Sequence, residues 1–362
     1  MPIGAGRRLF LKTALASLCM AQTPVALSDE RSLSALRRWA TGSTTLNPPA
    51  FGGGRIYFCG DRTLGVIAPD IAEPLWWRPH GFDGAAAFRP RLGGGLMICG
   101  WRHWIAAFDR ASGETVWHHP AAIQTGVPLV TGDAIYFGDG HEIVARATAS
   151  GALLWRFAGV PDTLVNYAPA ISGGTLLAGS GDGRLYALSA AAGGLRWSID
   201  GRQEWQYLRQ LHVDGGILVA GSYKEKLFGI AVADGSRLWS FNAGNFINSH
   251  HVAAGSAYLW SPTGWIYAID TATGAVRWRH QTTDYDNSSG NWASLMAELV
   301  AQDGKLYALA MDDVLHVLDL KTGDERLRIR VPARIRHAVL PLAGQGLAFP
   351  VVGGDLLVTE YV

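Results

Sequence analysis

The sequence has almost no charge imbalance and almost no cysteine. Its 31 basic and 30 acidic residues leave a net charge of +1 over 362 residues, so no global field recruits nucleic acid or an anionic membrane. No basic run with interleaved aromatics is present, and no nucleic-acid partner is expected. A serine nucleophile elbow, a His-Glu-x-x-His pair, a P-loop and a dinucleotide fingerprint are all missing, which removes the common hydrolase and nucleotide-binding readings. Of the three cysteines, Cys59 and Cys99 sit at the same strand position of neighbouring repeats. Equivalent points of adjacent repeats usually lie too far apart for a disulfide, so two buried free thiols are expected.

What is abundant is glycine and tryptophan, 45 and 14 residues. The most regular stretch, Ala268-Ile-Asp-Thr-Ala-Thr-Gly-Ala-Val-Arg-Trp278, reads as strand, tight turn, strand, with Gly274 free to take positive φ in the turn. The unit recurs. Its anchors are Trp76, Trp117, Trp155, Trp197, Trp239, Trp278 and Leu327, spaced 41, 38, 42, 42, 39 and 49 residues. Turn glycines precede most of them, at Gly113, Gly151, Gly193, Gly235, Gly274 and Gly323. Each period also holds further short apolar strands, as in Tyr167–Ile171 and Leu176–Leu188 with its Gly/Asp turn. Four strands in about 40 residues predict one blade of a β-propeller.

Three strands follow Leu327, at Ala338–Leu342, Leu347–Phe349 and Asp355–Tyr361. The fourth is expected from the other end of the chain, Ser34–Trp39, whose Trp39 precedes Trp76 by 37 residues. The reading is therefore all-β: an eight-bladed propeller of four-stranded antiparallel blades, closed by the N-terminal strand joining the C-terminal ones. Closure removes free sheet edges, and a monomer is expected.

The repeat Ala-x-Asp-x-x-Thr-Gly-x-x-x-Trp, closest to form at Ala107–Trp117 and Ala268–Trp278, resembles that of the quinoprotein (PQQ-type) propeller superfamily over residues 34–362. The eight-bladed count is similar to the BamB-type scaffold of outer-membrane barrel assembly. The resemblance implies either an exported non-enzymatic propeller that binds a protein partner or small ligand, or a PQQ-dependent oxidoreductase holding calcium. For the latter, Trp278–Asp286 resembles the segment carrying the catalytic base, which points to Asp284. Thr283 stands where that family has tryptophan, its adjacent cysteine pair is absent, and its calcium ligands have no matching motif here.

Residues 1–28 are read as a signal peptide and 29–362 as one domain. Gly6-Arg7-Arg8-Leu9-Phe10-Leu11-Lys12 resembles the twin-arginine export motif, with no acidic residue before Asp29. The apolar run Thr13 to Ala21 is too short to cross a bilayer, and no membrane span is expected after signal removal. Leu18 precedes Cys19 where a lipobox has a small residue, so no lipid anchor is expected. The predicted location is the periplasm.

A propeller binds ligands at the channel mouth, where each inner strand begins. Blades 2 to 4 enter plainly, through Gly84–Phe88, Gly126–Leu129 and Asn166–Pro169. Blades 5 to 8 are denser in polar and aromatic groups. Candidate ligand contacts are Trp205, Tyr207 and Arg209 from blade 5, Asn248 and His250 from blade 6, Asp286, Asn287, Asn291 and Trp292 from the long blade 7 entry, and Arg336 and His337 from blade 8. His250 and His251 point to opposite faces of a strand, so they do not form a paired metal site.

Overall fold

The computed structural model describes residues 31–32, 36–71, 73–205, 208–222, 224–245, 247, 249–261, 263–282, 298–310, 314–331, 335 and 339–359. Among them every regular element is a strand, and no helix is long and apolar enough to cross a membrane. The strands form eight separate sheets, taken in chain order as blades 1 to 8: residues 50–79, 91–124, 129–158, 170–200, 208–242, 249–281, 300–330, and 340–359 with Leu36–Trp39. Leu36–Trp39 pairs antiparallel with Leu356–Thr359 and closes the ring as expected.

Blade 2 departs from four separate strands. Its second and third strands run as one continuous element, Leu96–Asp109, with an irregular register at Arg102–Trp104, where His103 takes a φ of 68°. Blade 7 carries an extra strand: Arg31–Ser32 adds in parallel to the outer strand Glu325–Arg330.

The core is divided among the joints between blades. Alternate residues of each middle strand face the preceding and the following blade. In blade 4, Leu176, Ala178, Tyr186 and Leu188 pack on blade 3, whereas Leu177, Leu185 and Ala187 pack on blade 5. Both faces are buried, so these strands read as continuous apolar runs without alternation. Eight such clusters, one per joint, are present among the described residues.

The anchors staple the joints. The indole N–H of each donates to a backbone carbonyl of the next blade: Trp76 to Arg110, Trp117 to Thr148, Trp155 to Ala190, Trp197 to Val232, Trp239 to Thr271 and Trp278 to Leu320, all at 2.9–3.1 Å. The ring of each tryptophan also lies on the turn glycine of that next blade. A Cβ on Gly274 would come within 2.8 Å of Trp239, and one on Gly323 within 2.6 Å of Trp278. Each glycine thus meets two demands, a positive φ and no side chain. Joint 7–8 has Leu327 in the anchor place and packs through Tyr307, Val317 and Phe349. Joint 8–1 is sewn by hydroxyls: Ser43 Oγ meets Thr63 Oγ1 at 2.7 Å, and Thr63 Oγ1 and Trp77 Nε1 both donate to the Thr41 carbonyl at 2.6 Å.

Cys59 and Cys99 are buried and free, as expected. They are not far apart, as the repeat spacing suggested, but neighbours across joint 1–2: burial and a hydrogen bond from the Cys99 thiol to Cys59 push the Cys99 pKa well up.

Two glycines with nearly the same φ separate the two demands on the turn. Gly304 has a φ of 73° and nothing within 4 Å of an added Cβ, whereas Gly274 has a φ of 74° and faces Trp239. Gly304→Ala should cost about 1 kcal/mol from the left-handed backbone alone. Gly274→Ala should add a packing clash and cost about 2–4 kcal/mol in all, read from denaturant melts of the two variants.

Candidate functional site at the channel mouth

The segments entering the inner strands of blades 2 to 7 enclose a cavity of about 400 Å³, bounded chiefly by Arg89 and Arg91 of blade 2, Arg209 and His212 of blade 5, His251 of blade 6 and Glu298 of blade 7. A second cavity of about 410 Å³ lies beside blades 8 and 1, walled by Thr44, Asn47, Gly60 and Gly353, with no ionisable side chain.

The cationic side of the first cavity comes from far along the chain. Arg89 and Glu298 are 209 residues apart and join by a hydrogen-bonded ion pair, tying blade 2 to blade 7. Among the described residues Arg91 has no acidic partner of its own, and its Nε is buried without a hydrogen-bond partner. Burial, with repulsion from Arg89, lowers its pKa to about 10, so it stays charged at neutral pH. Among the described lining residues, Arg89, Arg91 and Arg209 stand beside one carboxylate, Glu298, which Arg89 engages.

The histidines behave differently. Burial, aided by His251, depresses His212 to about 4. Burial and the neighbouring His212 hold His250 well below its ordinary value. His251 is also lowered by burial, partly opposed by Glu298. The rings of His250 and His251 contact His212 edge-on, at 4.8 and 5.6 Å between centroids. The trio is neutral at pH 7, so the positive potential comes from the arginines alone.

Of the expected contacts, Arg209 lines this cavity. His250 borders it but is 2% exposed, with Nε2 3.4 Å from the Val219 carbonyl. Its backbone N–H donates to Gln210 Oε1 at 2.8 Å, linking blades 5 and 6. Trp205 is not at the mouth. It is 1% exposed, packs edge-on against Phe228, and donates to the Gly183 carbonyl at 2.7 Å, where it belongs to the joint 4–5 core. Tyr207, Asn248, Asp284, Asp286, Asn287, Asn291, Trp292, Arg336 and His337 lie outside the described residues. Gly84–Phe88 looks plain in the sequence and gives no hint of Arg89 and Arg91; the available signal is Arg89-Pro90-Arg91 just after it, two cations where the inner strand Arg91–Gly93 begins.

A calcium-held quinone needs several oxygen donors converging on the ion. The described lining offers one carboxylate, Glu298, already held by Arg89. This donor set does not fit calcium, and no redox step is derived from it.

Comparison with known proteins places the fold. A family model described as outer membrane protein assembly factor BamB matches residues 102–248, 159–288 and 262–361. BamB from Moraxella catarrhalis is 17% identical, covers 91% of this chain and 99% of its own, and superposes with a TM-score of 0.66. The computationally designed Ika8 protein is 14% identical over 88% of this chain and 96% of its own, with a TM-score of 0.72. The quinohemoprotein alcohol dehydrogenase ADHIIG from Pseudomonas putida HK5 is 11% identical over 91% of this chain and 76% of its own, with a TM-score of 0.69. At such identities these likenesses show the fold alone. No curated protein matches the sequence.

The histidine cluster sets a pH dependence. Above pH 6.5 the trio is neutral in both folded and unfolded chains, and stability is full. As pH falls from 6.5 toward 4, the unfolded chain takes up a proton that folded His212 refuses. Stability should then decline by up to about 1.4 kcal/mol per pH unit from this residue, with His250 and His251 adding the same sign. Thermal melts between about pH 7 and about pH 4 should show the decline, and His212→Phe should make it shallower.

Proposed function

The chain belongs to the β-propeller family described as outer membrane protein assembly factor BamB, and on that premise we propose that it is an exported, non-enzymatic binding module whose partner is a protein seated on the arginine-lined mouth. The observation that carries this reading is the charge arrangement there: Arg89, Arg91 and Arg209 against Glu298, with three histidines kept neutral beside them. Such a surface holds an acidic segment by charge-assisted hydrogen bonds. Catalysis would need a nucleophile beside a base, or converging oxygen ligands, and the described lining has neither.

Export by the twin-arginine route to the periplasm is part of the same proposal. It rests on Arg7-Arg8 and the apolar run after them. That route carries folded proteins, which suits a ring whose closing strand pairs residues some 320 positions apart, Leu36 with Thr359.

Two experiments test the reading. Changing Arg7 and Arg8 together to lysine should leave the protein in the cytoplasmic fraction; unaltered periplasmic recovery would remove this route. A photo-crosslinking residue in place of Arg209 should trap a protein in cells, whereas one at Leu154, on the exposed outer strand of blade 3, should not. Titration with PQQ and calcium should leave absorbance and melting temperature unchanged, and a saturable shift would overturn the non-enzymatic reading.

A further inference from the structure

Joint 6–7 differs from joints 3–4 and 5–6 in two places. At joints 3–4 and 5–6 the residue two beyond the anchor tryptophan meets the residue just before the small one opposite the next blade's own anchor. At joint 3–4 these are Phe157 and Tyr186, 5.3 Å between ring centroids. At joint 5–6 they are Phe241 and Tyr267, 5.2 Å apart. At joint 6–7 the same places hold His280 and His316, 5.8 Å apart. An apolar pair has become two imidazoles.

The second break is at the start of the blade 7 outer strand. Leu153, Leu195 and Val276 begin theirs pointing to solvent, 42–52% exposed. Glu325 has the corresponding register, opposite Leu318 as Leu195 is opposite Leu188. Its side chain is nevertheless only 4% exposed. An acid is thus drawn inward where Leu153, Leu195 and Val276 stay in water, the reverse of what burial energetics favours.

The acid meets the imidazoles. His316 Nδ1 lies 2.6 Å from Glu325 Oε1, His280 Nε2 lies 3.9 Å from the same oxygen, and Arg328 holds Oε2 at 3.1 Å. Hydrogen bonding leaves the cluster unfinished, because Nε2 of His280 and Nε2 of His316 are both buried without a partner. His316 is 2% exposed. Burial, reinforced by His316, keeps His280 below its ordinary pKa. Burial opposes ionisation of Glu325, yet hydrogen bonds from His316 and Arg328 hold its carboxyl below the usual range. Neutral imidazole with ionised carboxylate is the protonation state that ligates a metal.

We propose that His280, His316 and Glu325 bind a divalent transition-metal ion, zinc by donor type, that cross-links blades 6 and 7. One donor atom from each residue lies within 4.8 Å of the others. Around tetrahedral zinc, donors stand about 3.3 Å apart, so small side-chain rotations close the set. Water completes the fourth position from the His280 side, where 18% of the side chain is exposed and the ion can enter. The site is structural: it replaces an aromatic contact by a coordinate one, in the blade whose outer strand has Leu327 in place of an anchor tryptophan.

The test is titration of the untagged, metal-stripped protein with zinc chloride. One equivalent should bind and raise the melting temperature by more than about 3 °C. Cobalt in its place should give the visible bands of a tetrahedral ion. His280→Phe with His316→Tyr, the pair used at other joints, should fold with unchanged far-UV dichroism and lose both the shift and the bands. Glu325→Gln should weaken zinc by at least about tenfold and decides the matter if the double variant does not fold. Absence of zinc binding by the wild type, or binding undiminished in Glu325→Gln or persisting in the folded double variant, would overturn the site.

Discussion

The ring depends on one contact made six times: an anchor tryptophan laid on the turn glycine of the next blade, with its N–H on that blade's backbone. Each of these hydrogen bonds contributes about 1 kcal/mol, and each indole adds its apolar area to a joint already lined by aliphatics. The contact also sets geometry. It ties the outer strand of one blade to the outer turn of the next, so neighbouring sheets cannot splay at the rim while their middle strands pack inside. An aspartate prepares the turn in several blades: Asp270 accepts from the backbone N–H groups of Ala272 and Thr273, and Asp319 from those of Lys321 and Thr322. The signature Asp, Thr/Ser, Gly and Trp are therefore parts of one joint, split between consecutive repeats.

That division explains what could be read from the chain. Blade count, strand order and closure by Leu36–Trp39 were legible, because steric demands on glycine and tryptophan leave few substitutes and recur at fixed spacing. That the two residues touch across a joint was not legible, since the repeat shows them within one unit. Trp205 illustrates the same limit. Polar neighbours on both sides of it suggested a mouth, yet a hydrogen bond to Gly183 and an apolar bed against Phe228 place it inside joint 4–5. Periodicity locates strands; it does not say which side of a strand end is wet.

The mouth was harder still, for a topological reason. A closed ring brings every inner strand to one axis, so its lining is drawn from segments hundreds of residues apart. Arg89 looks unremarkable in blade 2 until Glu298 arrives from blade 7. Neighbouring charge then decides what the lining can do. The histidines, closely packed and desolvated, stay neutral, and the arginines stay charged, Arg91 despite a lowered pKa. Among the described residues this lining keeps its charge pattern across the physiological range, which suits the recognition proposed for it; proton transfer would need a group titrating near neutrality with a substrate beside it.

Deviations from a repeat come in two kinds, and they carry different information. A deviation in length, such as the 49-residue period of blade 7, says only that a connection is longer. A deviation in chemistry at a structurally equivalent place says that the usual contact has been replaced. His280 and His316 stand where joints 3–4 and 5–6 set phenylalanine against tyrosine, and the Glu325 side chain is nearly buried where Leu153, Leu195 and Val276 are exposed. Three polar substitutions scattered through the chain would each be unremarkable and individually costly. That they converge on one joint means the cost of each is offset in part by the others, with Arg328 on the carboxylate, or by what the three hold together. Either way joint 6–7 is fastened by polar contacts at the point where the regular staples end, so the chemistry of the repeat changes just before its tryptophan is lost.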